Sequence, residues 1–353
     1  MYTPWGPLAD LDLSSLDVCR QVLEHDKHQL AEGLVVESFV EQIYAHIPDH
    51  LPAATLLDVE TAIVRDRGRW LAFVWVRSPA PGLGRFLAAL ANRFTVYVVA
   101  LTPDRRFLAR PAPQGRPTGE ALALETLMAQ LSGRVPAQLH VDAAVRDGTR
   151  QNASFWGHLA QHYRGDLGPR VILPRLFLNF GIQPWFRAVW NLDRILVDGD
   201  QIWFLEIKHK FPINGRQLRF GLNLGEADVI ARLGETGVRC LHTLLVKPTW
   251  TKDSGAAGLL ASLDERTRAL LIATELDAPR LARMRANGEQ ISGSHTALTG
   301  QGALKYLTLP ASDFNVIGNF NSCGDQLAGN MAAVMSGLPP ETVTDAMLRS
   351  RRN

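Results

Sequence analysis

Three side chains in one short stretch could do chemistry together. The stretch reads Trp190-Asn191-Leu192-Asp193-Arg194-Ile195-Leu196-Val197, then Asp198-Gly199-Asp200, then Gln201-Ile202-Trp203-Phe204-Leu205-Glu206-Ile207-Lys208-His209-Lys210. Two apolar runs around such a tripeptide predict a β-hairpin. Strand side chains alternate faces, so Glu206 and Lys208 share one face while Leu205 and Ile207 take the other. A two-residue loop at Gly199-Asp200 sets Asp193 directly opposite Glu206; a loop at Asp198-Gly199 makes them diagonal neighbours on the same face. Directly opposed residues have Cβ atoms about 5 Å apart, close enough for both carboxylates to hold one ion. Like charges so placed repel each other unless a cation lies between them, and Mg²⁺ suits oxygen ligands.

The chemistry expected of such a group is phosphodiester hydrolysis. Asp193 and Glu206, helped by a backbone carbonyl at Ile207, would hold Mg²⁺ or Mn²⁺, which acidifies a bound water and shields phosphate charge. Lys208 would orient or help deprotonate that water and stabilise the charge building at phosphorus. The plainer alternative is a half-exposed strand with Glu and Lys on its wet side. The strongly apolar flanks favour the site, because an unpaired charge on a buried strand is costly. Asp198 and Asp200 read as turn formers.

Beyond this group, Lys210, Arg216, Gln217 and Arg219 are candidate phosphate contacts, against the alternative of a solvated loop. Asn223 reads as a helix cap. Trp185, Trp190 and Trp203 could stack on bases, although core packing is the commoner use of tryptophan. The histidines are scattered, no Ser-His-Asp set can be placed, and no Walker or dinucleotide fingerprint occurs. Gly300-Gln301-Gly302 lacks a third glycine and reads as a plain turn.

The elements that must position these residues follow from periodicity. Leu34, Val35, Phe39, Ile43 and Tyr44 lie on one face of a predicted helix, which Ile47-Pro48-Asp49 ends. Leu56 to Arg65 and Arg69 to Arg77 read as strands, followed by a helix from Leu83 to Asn92 and a strand from Phe94 to Leu101. Ser154 to Tyr163 reads as a helix and Gly165 to Gly181 as an irregular insertion. After the hairpin come a helix from Gly225 to Leu233 and a strand from Val238 to Val246. The two halves show the same order, as a duplication would, or as any two α/β segments might. Laying Trp70–Arg77 over Trp203–Lys210 puts Phe73 and Trp75 where the second half has Glu206 and Lys208, so a first copy would be degenerate. Ser38-Phe39 and Ser154-Phe155 then fall in the preceding helices. The expected organisation is α/β, with an N-terminal α/β module over 1–145, the hairpin-bearing domain over 146–275 and a C-terminal extension over 276–353.

Composition sets the limits. The chain has 353 residues, 46% hydrophobic and 20% charged, the profile of a folded globular protein of two or three domains. A net charge of +2 does not by itself announce a nucleic-acid binder. Cys19, Cys240 and Cys323 are too dispersed for a zinc site and suit a reducing cytoplasm. No apolar run is long enough to span a bilayer, and the N-terminus has no signal-peptide pattern.

The segment over 152–248 resembles the PD-(D/E)XK nuclease superfamily. The resemblance implies a restriction-endonuclease-like mixed sheet flanked by helices. It also implies that Asp193, Glu206 and Lys208 are the metal and catalytic residues of a Mg²⁺-dependent nuclease acting on DNA. Two features depart from the family pattern. Leu192 stands where a proline would precede Asp193, and the helix from Ser154 to Tyr163 lacks the glutamate many members carry, leaving His158 or Gln161 in that place. Homodimerisation is compatible with this reading. The rival reading is an inactive nuclease-like scaffold that binds nucleic acid or a protein.

Overall fold

The computed structural model describes residues 1–26, 28–137, 141, 146, 153–251, 255–292 and 303–353, without the side chains of residues 28–32. The expected Gly300-Gln301-Gly302 turn lies outside the described residues. Among the described residues the strands form two six-stranded mixed sheets and two smaller ones. The chain is thus α/β, with helices flanking the sheets.

The expected hairpin forms with the tighter of its two registers. Arg194–Asp198 pairs antiparallel with Gln201–Lys210, with Arg194 opposite Leu205 and Asp198 opposite Gln201. Gly199, at φ +54°, opens the two-residue turn from the left-handed region. A parallel strand, Val238–Val246, lies on the far side of Gln201–Lys210, followed outward by Leu270–Glu275 and Asn315–Gly318. The C-terminal region therefore supplies the edge of this sheet. Its helix Gly324–Met335 buries Leu327, Met331 and Met335.

The other large sheet repeats the arrangement. Val59–Asp66 and Arg69–Val76 form a hairpin, turned by Arg67 and Gly68, both at positive φ. Thr95–Leu101 pairs parallel with Arg69–Val76, followed outward by Phe107–Pro111 and Leu122–Ala123. Strands with both faces covered read as near-continuous apolar runs. Leu71 to Trp75 and Ile202 to Ile207 are accordingly buried.

The sheets exchange their outermost strands. Ala54–Leu57 leaves the first half and pairs with Arg194–Asp198, while Val189–Leu192 leaves the second half and pairs with Val59–Asp66. The crossings fall at single residues, Asp58 and Asp193. A helical segment accompanies each visiting strand. His28–Tyr44 packs on Gln201–Lys210. The stretch expected as an irregular insertion is wound into successive helical turns from Gly168 to Ile182. Phe177 of that run lies against Trp75 and Phe107, with ring centroids 5.7 and 4.9 Å apart. Pro169 and Pro174 lack amide donors, which suits its wide π turns. Gly168 is fixed by contact: a Cβ there would fall 1.9 Å from the Leu13 carbonyl oxygen.

The boundaries expected near 145 and 275 therefore divide the sequence, while both sheets draw strands from across the first and one sheet extends across the second. The helix on the hairpin over 194–210 is His28–Tyr44, from the N-terminal half. Ala153–Tyr163, expected to fill that place, packs instead against His28–Tyr44.

Candidate active site

At Asp193 the chain leaves one sheet for the other, and the strands on either side part. The wedge between them is a cavity of about 370 Å³. Its lining includes Asp193, Glu206, Ile207 and Lys208, so the structure brings the sequence-predicted group to one place. Continuing the hairpin register by one residue sets Asp193 opposite Glu206. Asp193 Oδ2 accepts a hydrogen bond from the Ile207 N–H at 3.1 Å, in place of a ladder carbonyl. Because the N–H and C=O of one strand residue point to the same edge, the Ile207 carbonyl also points towards the side where the ladder has ended.

Glu206 is buried, and its Oε1 contacts the Lys208 ammonium. Lys208 also lies 3.7 Å from Oε1 of Glu226, on the first turn of helix Leu224–Gly234. Lys208 is thus the shared counter-charge of the buried Glu206 and Glu226. The Lys208 side chain lines the cavity and keeps 36% of its surface accessible.

A residue the sequence reading missed completes the wall. Glu37, on His28–Tyr44, lines the same cavity and is open to its interior. The dense surroundings and the Asp193 carboxylate push its pKa up to about 6. His158 and Gln161, considered for that position, lie elsewhere. His158 Nε2 is 2.7 Å from Ser38 Oγ. Glu37 could have been noticed as an acid three residues after Leu34 and four before Glu41, within the stretch that carries the helix's apolar face.

The electrostatics are those of crowded acids. Burial and the nearby Asp193 charge raise the Glu206 carboxyl well above its usual range. Burial also raises Asp193, against the opposing pull of Lys208 and the Ile207 N–H. Burial would lower Lys208, but Glu206, Glu226 and Asp193 raise it well above its usual value and keep it cationic. Glu226 is held low, because Lys208, Lys210 and His242 outweigh its burial.

The cavity lining carries six carboxylates, from Glu37, Glu41, Glu60, Asp193, Glu206 and Glu226, against four cationic side chains, Arg170, Arg175, Arg194 and Lys208. That excess of negative charge fits one divalent cation. The donors available to it are hard oxygens, from Asp193, Glu206 and the Ile207 carbonyl, which suits Mg²⁺ or Mn²⁺. Among the described residues, the one trio of His, Cys, Asp or Glu ligand atoms within 4.8 Å of one another is His46, Asp49 and Asp325, exposed on the surface.

The residues expected to grip phosphate are not in the cavity. Lys210 donates to the Gly221 carbonyl, and burial lowers its pKa. Arg216 and Gln217 are exposed, and Arg219 donates to Gln217 at 3.3 Å. Arg170 and Arg194 stand at the cavity instead, both paired with Glu41. Trp185 and Trp203 are core residues, with Arg239 stacked 4.0 Å over Trp203. Trp190 is half-buried and lines the cavity.

No family model, no curated protein and no solved structure matches this chain. Among the described residues, no helix is long and apolar enough to cross a membrane.

Proposed function

We propose that the chain is a metal-dependent nuclease of the PD-(D/E)XK type that hydrolyses phosphodiester bonds, with DNA as substrate. The observation carrying this reading is the meeting of Asp193, Glu206, the Ile207 backbone and Lys208 in one cavity with an excess of carboxylate. Asp193 and Glu206, with the Ile207 carbonyl, would hold Mg²⁺ or Mn²⁺, and Glu37 lines the same cavity and feels the Asp193 charge. The bound ion would supply an acidified water and charge shielding at the phosphate. Lys208 is kept protonated by three carboxylates, so its role is to orient the attacking water and to stabilise charge on the phosphoryl oxygens. Glu226 holds that ammonium in place. The reciprocal exchange of strands supports a restriction-endonuclease-like core in which the helix and edge strand come from the other half of the chain.

A single-turnover cleavage assay with and without Mg²⁺, beside Asp193→Ala and Lys208→Ala, tests the reading. Both variants should lose about a hundredfold or more in rate. The reading fails if the parent cuts nothing, or if the variants cut equally well. The scaffold alternative draws its support from the ion pair between Lys208 and Glu206, which leaves the site partly neutralised without metal.

A further inference from the structure

We infer that this cavity accepts an unpaired DNA strand and excludes intact duplex. The inference rests on the nuclease reading for its chemistry, and on the enclosure of the site for its selectivity. Glu206 lies at the inner wall, 2% exposed. Above it, Arg170, Pro174, Leu178 and Asn179 of the helical run Gly168–Ile182 close one side, and Glu37 and Glu41 of His28–Tyr44 close another. The cavity encloses about 370 Å³, with the buried Glu206 on its wall. On this reading a duplex backbone would have to open to bring a phosphate to the buried Glu206, and the cavity would admit one strand at a time. Its volume falls within the range of pockets that enclose small ligands, on the scale of one nucleotide. Enzymes that must bring a buried base to a recessed site act on single strands or extrude one nucleotide, and a phosphate that must meet a recessed acid poses a similar problem of access.

The wall chemistry suits that guest. Trp190 is half-buried at the cavity, with Trp70 packed behind it at 6.2 Å between centroids, which gives an apolar wall for a base. Arg170 leaves 51% of its side chain exposed, where a following phosphate would pass. The acidic interior repels phosphate until a cation is bound, so strand binding should require the metal.

The test uses the full chain and four DNA substrates: a linear single strand, a single-stranded circle, a blunt linear duplex and a covalently closed duplex circle, each with Mg²⁺ or Mn²⁺. The linear single strand should be cut at least about tenfold faster than the closed duplex circle. Equal rates on those two would overturn the inference while leaving the nuclease reading intact. Cleavage of the single-stranded circle would show that a free end is not required. If no substrate is cut, the nuclease reading fails, and selectivity is then read by fluorescence anisotropy in Ca²⁺. A labelled single strand should bind at least about tenfold more tightly than a hairpin duplex, and Arg170→Glu should weaken it. Equal or tighter binding of the duplex would overturn the inference by that route.

Discussion

Asp58 and Asp193 occupy matching points, each between a strand of one sheet and a strand of the other, but they face opposite partners. The register places Arg77 across from Asp58. Its guanidinium donates to Asp58 Oδ1 at 2.7 Å and to Glu60 Oε1 at 2.6 Å. In the second hairpin the residue facing Asp193 is Glu206. The first hairpin thus carries its own cation, bound covalently to the chain, and the second leaves an excess of carboxylate that a metal could neutralise. The lesson is that one backbone design can be internally neutralised or left with surplus carboxylate according to the sign of a single facing side chain. The degenerate residue pairing expected from sequence, with Phe73 against Glu206, shifts to Arg77 once the registers are aligned at the crossings.

Four experiments would break or sharpen this contrast. The largest effect is expected from Glu206→Gln. Mg²⁺-dependent cleavage should fall by about a hundredfold or more, while the melting temperature in EDTA should hold or rise because a repelling charge is removed. A drop in thermal stability like that of a core cavity would contradict the reading of Glu206 as a strained functional acid. Arg77→Gln should do the reverse. It strands Asp58 and Glu60, so urea unfolding should show a loss of about 3 kcal/mol. Metal affinity should hold or rise, because Glu60 lines the cavity and loses its counter-charge, and a variant that lost metal binding instead would erase the distinction between the hairpins.

The pH dependence is smaller and has a definite sign. A carboxyl with a raised folded pKa binds its proton more tightly when folded, so stability falls as pH rises from the ordinary carboxylate range. For Glu37 this loss develops up to and through about pH 6. Mg²⁺ needs the ionised carboxylates and offsets the loss. The Mg²⁺-induced rise in melting temperature should therefore grow between pH 5 and pH 7, and Glu37→Gln should flatten that growth. An Mg²⁺ effect equal at both pH values would count against the cavity as the metal site. The smallest effect belongs to Arg216→Ala, exposed and outside the cavity. Cleavage should change by less than about twofold, as for most surface substitutions; a larger loss would return the loop to the substrate path.

What could be read from the sequence was local. The turn at Gly199-Asp200 fixes the hairpin register, strand parity then fixes the faces, and both are set within 21 consecutive residues from Trp190 to Lys210. Glu37 was not legible, because it reaches Asp193 from more than 150 positions away and nothing local specifies that meeting. The exchanged strands were hidden for the same reason. Leu56 to Arg65 reads as a single strand, and a change of sheet at Asp58 leaves no mark in periodicity. The candidate phosphate contacts follow only from nearness in sequence to the hairpin. The exit of the strand carries Arg216 and Gln217 away from the cavity, and Arg170 arrives from a segment that looked irregular.

The crossing at Asp58 and Asp193 interlocks the two halves of the chain. Neither can close its sheet with its own residues, so a fragment beginning at 146 would expose an unpaired edge along Arg194–Asp198 and lack one wall of its reactive centre. Unfolding should be a single cooperative event, and activity from severed pieces should appear only when both are mixed and refolded together.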